Sequence, residues 1–421
     1  MSATKLGILV AGGPAPGINS VIAAASIRAQ LQGTDVIGIR DGFEWIMQGN
    51  IDETVELNID TVSRLHFRGG SFIGISRANP TSTPERMDNT LRSFDRLGIT
   101  QLITIGGEGT AYLASRVHEA SGGVVQVAHV PKTIDNDLPL PPDIDTFGYQ
   151  TARHVGAGIL NSLMVDAHSM SRWYFVVSMG RSAGHLALGI GKAAGATLTL
   201  IPEEFEAPTP LQVVVDTLVG AIIKRRALKQ RHGVAVIAEG LMAVLEKGAV
   251  EAPGITDEHG NVRFSSVRIG DVLRDAVHGE LSKLGIEMSI VSKDIGYEVR
   301  SADPIPYDME YTRDLGYCAA RYLCEGGSGA MITMQGGRFV PVPFSEMRDP
   351  VTGSTRVRLV DIQSERYKIA RRYMIRIRRD DFDDPELVAS LAATAHMTVE
   401  QFQARFEPLT ETEPPPLTMC A

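Results

Sequence analysis

The chain has 421 residues, a length that suits two domains or one elaborated pair. Its apolar fraction of 43% and charged fraction of 22% are those of an ordinary soluble globular protein. The net charge of −9 gives no overall basic excess to match a phosphate backbone, which argues against a nucleic-acid binder and leaves phosphorylated metabolites open.

Three sparse cysteines, Cys318, Cys324 and Cys420, with no CxxC, exclude a disulfide framework and fit a reducing cytoplasm. The segment Met1–Val10 has no long apolar stretch of the signal-peptide kind. No apolar run is long enough for a membrane span, and Leu186–Leu200 is broken by Lys192.

Taken in chain order, Leu6–Ala11 reads as a strand. Gly12-Gly13-Pro14-Ala15-Pro16-Gly17 turns it into a helix opening at Ile18, so that backbone N–H groups face an anion. Val36–Ile39, Leu102–Ile105 and Val124–Val130 read as strands, with helical patterns at Arg86–Leu97 and Thr110–Ala120 between them. The cycle restarts with a helix over Thr151–Asp166 and a buried strand at Tyr174–Val177. A strand at Thr197–Ile201, a helix at Leu211–Leu228 and a strand at Val234–Ala238 follow. Asp314–Cys324 reads as a helix and Gly329–Thr333 as a strand. The chain from about 360 is charged and helical, and Pro408–Ala421 is a proline-rich tail. The alternation predicts two doubly wound, Rossmann-like α/β domains with parallel sheets, at 1–149 and 150–310, and at 311–421 a return segment packing on the first domain plus a C-terminal helical extension and tail.

Two stretches carry the chemistry. Gly106-Gly107-Glu108-Gly109-Thr110 joins a strand to a helix, and Pro131-Lys132-Thr133-Ile134-Asp135-Asn136-Asp137 packs acids and hydrogen-bonding side chains into a turn at a strand's C-terminal end. Glycines for a phosphate, acids for a hard cation such as Mg²⁺ and a candidate base for a hydroxyl together suit phosphoryl transfer. Glu108 is the candidate carboxylate near Mg²⁺. Asp135 and Asp137, two apart, share a face, and spacing alone does not say which takes the proton. Arg77, Arg172 and Arg181 lie at ends of α/β elements, where arginine suits a phosphorylated substrate. His66, His154, His168 and His185 carry no metal spacing. A GxGxxG dinucleotide fingerprint is missing from Gly12–Gly17, which disfavours a Rossmann dehydrogenase.

With these motifs in their order, together with Ser178–Gly184, Ile201-Pro202-Glu203, Glu239-Gly240 and Gly296–Arg300, the chain resembles the phosphofructokinase family from Leu6 to about Val340. The resemblance implies an active site in the cleft between the two domains and phosphorylation of the 1-hydroxyl of fructose 6-phosphate, with Mg²⁺, in a cytoplasmic homodimer or homotetramer. It implies that Asp135 is the base, Asp137 its partner and Thr133 a contact near the sugar phosphate. It places Met179, Gly180, Arg181, Glu239, Tyr297 and Arg300 in the fructose 6-phosphate pocket and Arg172 in a neighbouring subunit's site. Gly12, Gly13, Arg77, Gly107, Gly109 and Thr110 fall on the donor side. Glu108 stands where the family usually carries a metal-associated Asp.

The donor signal is mixed. Lys132 and Ser171–Tyr174 resemble the pyrophosphate-dependent branch, whereas Gly109 stands where that branch usually has the Asp that blocks nucleotide. Glycine removes bulk and charge from the place of an α-phosphate, while Lys132 adds a cation to hold a departing phosphate. This reading expects ATP as donor, with pyrophosphate as the alternative. A non-catalytic regulatory subunit is disfavoured because Asp135, Arg181 and the donor glycines are all present. An NAD kinase is disfavoured by Met179–Gly184 and Gly296–Arg300.

Overall fold

The computed structural model describes residues 4–141, 143–249, 268–347, 356–411 and 413. Cys420 and the Pro414–Pro416 run lie outside them. Two compact units divide the chain: the first comprises the residues up to Ala152 together with Tyr297–Arg358, and the second Arg153–Gly296 together with the chain from Leu359.

The first unit is built on a sheet of eight described strands: β1 (Lys5–Val10), β2 (Asp35–Ile39), β3 (Thr54–Glu56), β4 (Ile99–Gly106), β5 (Gln126–Thr133), β6 (Phe147–Gly148) and two later strands. Its centre is parallel, with β1 between β2 and β4, and β5 beyond β4. Leu6, Ile8–Val10, Leu102, Ile103 and Val127 are fully or almost fully buried, as expected for strands covered on both faces. The helix Ile18–Gln30 packs on the helix Pro306–Cys324, which lies in the other part of the unit. The approach is so close that a Cβ on Gly316 would lie 2.5 Å from the Val21 carbonyl oxygen. Buried Asp308 on the second of these helices accepts the N–H groups of Gly148 and Thr151 at 2.9 and 2.7 Å, so it caps the start of the helix Tyr149–Met170.

The second unit has a parallel four-stranded sheet: β7 (Trp173–Ser178), β8 (Leu198–Leu200), β9 (Gly233–Ala238) and β10 (Ile290–Ile295), in the order β10-β7-β9-β8. Returning to the first unit, β11 (Ala330–Gln335) and β12 (Arg338–Pro343) form a hairpin that closes the first sheet. β12 is antiparallel to β11, so the first sheet is mixed at its edge. Gly336 and Gly337 make the turn, both at positive φ (57° and 75°), as a two-residue hairpin requires.

The sequence expects the return segment within 311–421 to pack on the first domain and gives the extension after it no partner. In the structure the segment divides at Arg358, and the extension from Leu359 belongs to the second unit. The reason is apolar. The helices Pro385–Thr394 and Val399–Phe406 bury Val388, Leu391, Phe402 and Phe406, and pack on the helix Leu211–Ala227. Gly220 permits the approach, since a Cβ there would meet Ile377 at 2.9 Å and Phe406 at 3.4 Å. Each large side chain so buried contributes about 1.5–3 kcal/mol. Ion pairs of Lys224 with Asp381 (2.6 Å) and of Arg371 and Arg376 with Glu204 (both 2.6 Å) fix the same segment. Among the described residues no helix is long and apolar enough to cross a membrane.

Candidate active site

In the first unit, strand register assembles the site. Val10 pairs with Ile105 and Gly106 with Pro131, so the C-terminal ends of β1, β4 and β5 deliver their turns to one edge of the sheet. Gly12 adopts φ 89° and donates its N–H to the Ser76 carbonyl at 2.9 Å, which sets Arg77 beside the glycine turn. Gly107 is the N-cap of the helix Glu108–Ala120 and offers no capping side chain, leaving first-turn N–H groups to meet an anion. Gly106 is required by packing: a Cβ there would lie 2.2 Å from the Thr110 side chain. Gly109 is different. It is exposed, and a Cβ on it would meet nothing within 4 Å.

β5 runs three residues past its expected end, through Pro131, and delivers Lys132 into the interior, where it is 3% exposed. Its ammonium donates to the Gly13 carbonyl. Burial pushes the amine down to about 7, helped by the cations Arg300 and Arg77 and opposed by Asp135. Arg300, expected in the sugar phosphate pocket, thus lies against the first glycine turn. Its Nη1 is 3.4 Å from the Cβ position of Gly13, and its guanidinium lies 4.6 Å from the centre of the exposed Tyr297 ring. Lys132, Arg300 and Arg77 form a cationic cluster around the first glycine turn.

The acidic turn follows directly. Thr133 Oγ1 accepts the Asp135 N–H at 3.0 Å, and the Thr146 hydroxyl donates to the Thr133 carbonyl at 2.7 Å. Asn136 sits at φ 56°, a left-handed conformation that Asn tolerates, and its side chain bridges Asp145 Oδ1 (2.8 Å) and the Thr146 N–H (2.9 Å). Burial holds the Asp137 carboxyl above its ordinary range, against hydrogen bonds from its own backbone and the Thr133 side chain and the nearby Arg358 cation. Burial, with Asp137 as a like charge, also raises Glu108. Two carboxyls that penalise each other's charge suit a divalent cation. Among the described residues no group of three or more His, Cys, Asp or Glu could hold one alone.

In the second unit, β7 and β9 end in register at Ser178 and Ala238, bringing Met179-Gly180-Arg181 beside Glu239-Gly240. Gly180 adopts φ 137° and its carbonyl accepts the Gly240 N–H at 2.9 Å, and a Cβ on Gly240 would come within 2.8 Å of the Arg181 carbonyl. Glu203, half-buried and raised by desolvation, accepts the Gly184 N–H at 2.9 Å and the Val360 N–H at 2.9 Å. Arg181 is exposed. Arg172 lies at the opposite end of β7 from Met179, which puts roughly 20 Å of strand between them. It pairs with Asp166 at 2.8 Å, and the Tyr174 hydroxyl donates to the same carboxylate at 2.6 Å. Within the second unit, the structure therefore does not gather Arg172 with Met179, Gly180, Arg181 and Glu239.

Sequence reasoning missed Arg358, Asp308, Asp145 and Thr146, and it quoted Glu203 without a role. Arg358, Asp308, Asp145 and Thr146 sit in no spacing motif. They act through contacts between segments up to 222 residues apart, which one sequence does not display.

A parallel α/β edge with glycine turns, an uncapped helix N-terminus, a buried lysine beside two arginines and adjacent carboxyls has the chemistry that phosphoryl transfer needs, on a doubly wound scaffold. The family model described as "Phosphofructokinase" matches residues 5–323. The chain belongs to the phosphofructokinase family. It is 47% identical over 416 residues, 97% of this chain and 99% of the relative, to a pyrophosphate--fructose 6-phosphate 1-phosphotransferase of Thermotoga maritima. A protein of the same name from Naegleria fowleri is 45% identical over 418 residues, 96% of each chain. An ATP-dependent 6-phosphofructokinase of Mycobacterium tuberculosis is 32% identical over 350 residues, 81% of this chain and 94% of that one. The solved pyrophosphate-dependent phosphofructokinase of Nitrosospira multiformis matches the fold with a TM-score of 0.67 at 18% identity, covering 94% of this chain and 92% of that one. The relatives thus favour the pyrophosphate alternative over the ATP reading.

Proposed function

We propose that this enzyme transfers a phosphoryl group from pyrophosphate to the 1-hydroxyl of fructose 6-phosphate. The observation that carries the donor assignment is Lys132, buried on the Gly12–Gly13 turn beside Arg77 and Arg300. A compact cationic cluster at a glycine turn suits a small, highly charged donor and can hold the phosphate that departs. The full-length likeness to two proteins named pyrophosphate--fructose 6-phosphate 1-phosphotransferase points the same way. ATP is the second reading, favoured by the open space at Gly109 and by the ATP-dependent relative.

In this reading Asp135 takes the proton of the attacking hydroxyl. Thr133, through the Asp135 N–H, holds the turn that presents it. The first-turn N–H groups after Gly107, with Gly12, Gly13, Thr110 and Arg77, bind the donor. Lys132 stabilises the charge that develops on the leaving phosphate. Glu108 and Asp137 would hold Mg²⁺ together with donor oxygens, since that cation binds through one or two carboxylates plus phosphates and supplies charge neutralisation. Met179, Gly180, Arg181 and Glu239 bind fructose 6-phosphate, with Tyr297 and Arg300. Arg172, at the far end of β7 from Met179, serves a neighbouring copy in a homodimer or homotetramer, and the enzyme works in the cytoplasm. Initial rates of fructose 6-phosphate phosphorylation with each donor test the assignment. Higher kcat/KM for pyrophosphate supports it, and higher kcat/KM for ATP reinstates the second reading.

A further inference from the structure

Arg358 carries no motif, yet its guanidinium spans the loop that bears the acidic turn. Nε and Nη2 donate to the Asn136 carbonyl at 3.1 and 3.0 Å, and Nη2 also reaches Asn136 Oδ1. Nη1 donates to the carbonyls of Ile144 and Pro141 at 2.8 and 3.1 Å, and more weakly to that of Leu140 at 3.4 Å. The Arg358 main-chain N–H adds a bond to the Asp137 carbonyl at 2.8 Å.

This loop departs from β5 into irregular backbone, where carbonyls lack ladder partners and must find donors elsewhere. One planar fork meets carbonyls at both ends of the loop at once. A lysine ammonium, a point charge on a flexible stem, cannot bridge the same set. The left-handed Asn136 lies directly between Asp135 and Asp137, so whatever fixes Asn136 fixes the direction of both carboxylates.

We propose that Arg358 is the positioning residue of the acidic turn, tying Asn136 to the 141–144 end of the loop so that Asp135 and Asp137 are held ready for phosphoryl transfer. The inference rests on Asp135 acting as the base, as proposed above. Arg358 acts through Asn136 and the loop carbonyls it binds.

The test compares wild type, Arg358→Met and Arg358→Lys in the full-length enzyme, by steady-state kinetics with pyrophosphate and by amide hydrogen exchange. Loss of the fork should lower kcat by ~30–100-fold, the scale of a misplacement of about 1 Å, with KM for fructose 6-phosphate within about threefold. Exchange should rise by about tenfold or more in residues 134–146 and stay unchanged in β1 and β4. Arg358→Lys should melt near the wild-type temperature and still show the kcat loss. Unchanged protection of 134–146 in both variants would overturn the proposal, as would a wild-type kcat in Arg358→Lys. If wild type fails to phosphorylate fructose 6-phosphate, the functional reading falls, and the exchange measurement still decides the role of Arg358.

Discussion

Lys132 offers a prediction that can be followed quantitatively. Its amine is held at about 7 in the folded protein against an ordinary 10.5, chiefly by burial and then by Arg300 and Arg77. At pH 7, therefore, about half the molecules carry that proton, and at pH 8 about one in ten. A bound pyrophosphate brings several negative charges to the ammonium and restores its affinity for the proton. Binding should then take up about half a proton at pH 7 and about nine-tenths at pH 8 through this group. Calorimetric titration in buffers of different ionisation enthalpy measures the uptake, and Lys132→Met removes it, so the difference between the two proteins cancels the donor's own protonation. The same shift sets a sign for stability. The folded value lies below the unfolded one, so the unfolded chain binds more protons between about pH 7 and 10.5, and stability rises with pH across that window. The ligand-free enzyme below pH 7 carries the full penalty, at most about 5 kcal/mol. Lys132→Met should relieve part of it, offset by about 1–3 kcal/mol for the Gly13 carbonyl left without its donor. Its kcat should fall by ~10²–10³, as when one preorganised donor to a developing charge is lost. Equal proton uptake by wild type and Lys132→Met would refute the reasoning.

Asp135→Asn keeps shape and removes basicity. It should lower kcat by ~10²–10⁴ with a smaller change in KM, and near-normal turnover would eliminate Asp135 as the base. Gly109→Asp enters open space, so the protein should fold normally, while the new charge on the donor turn suppresses ATP use. The ratio of kcat/KM for pyrophosphate to that for ATP should rise by roughly ten- to a hundredfold, and an unchanged ratio would remove Gly109 from donor selection. An Arg172→Ala chain mixed with an Asp135→Asn chain should regain activity through hybrid sites, and verified mixed oligomers without recovery would show that Arg172 serves no neighbour's site.

Much of the site was legible because its signals are local. Glycines between a strand and a helix marked the turns at Gly12 and Gly107, and acids directly after a strand marked the turn at Asp135. The helix and strand periods from Leu6 to Val340 announced two parallel α/β units. The edges escaped. β10 alternates Ser292-Lys293-Asp294 and is only half-buried at the border of its sheet, so its pattern is too polar to stand out. β3 is three residues long. β12 breaks the parallel rule through a glycine pair that a hairpin search would have found. The extension beyond Leu359 was correctly helical in outline, and its destination was hidden. Its apolar stripe at Val388, Leu391, Phe402 and Phe406 says that it docks, whereas the receiving surface at Gly220 is defined only once the helix Leu211–Ala227 is folded. Arg358 went unseen, and Glu203 was seen without its role, for a related reason: each acts on backbone groups, which leave no mark on residue identity. The donor choice drew on two residues pointing opposite ways. Gly109 proves merely open, whereas Lys132 is buried within a cluster of cations.

The central claim is a pyrophosphate donor, and running the reaction backwards tests it most directly. Wild-type enzyme is supplied with fructose 1,6-bisphosphate, Mg²⁺ and orthophosphate, and pyrophosphate and fructose 6-phosphate are measured, with ADP replacing orthophosphate in a parallel reaction. The account predicts pyrophosphate formation with orthophosphate, lost in Lys132→Met, and little or no ATP formation with ADP. ATP formed from ADP, with no pyrophosphate formed from orthophosphate, would contradict it.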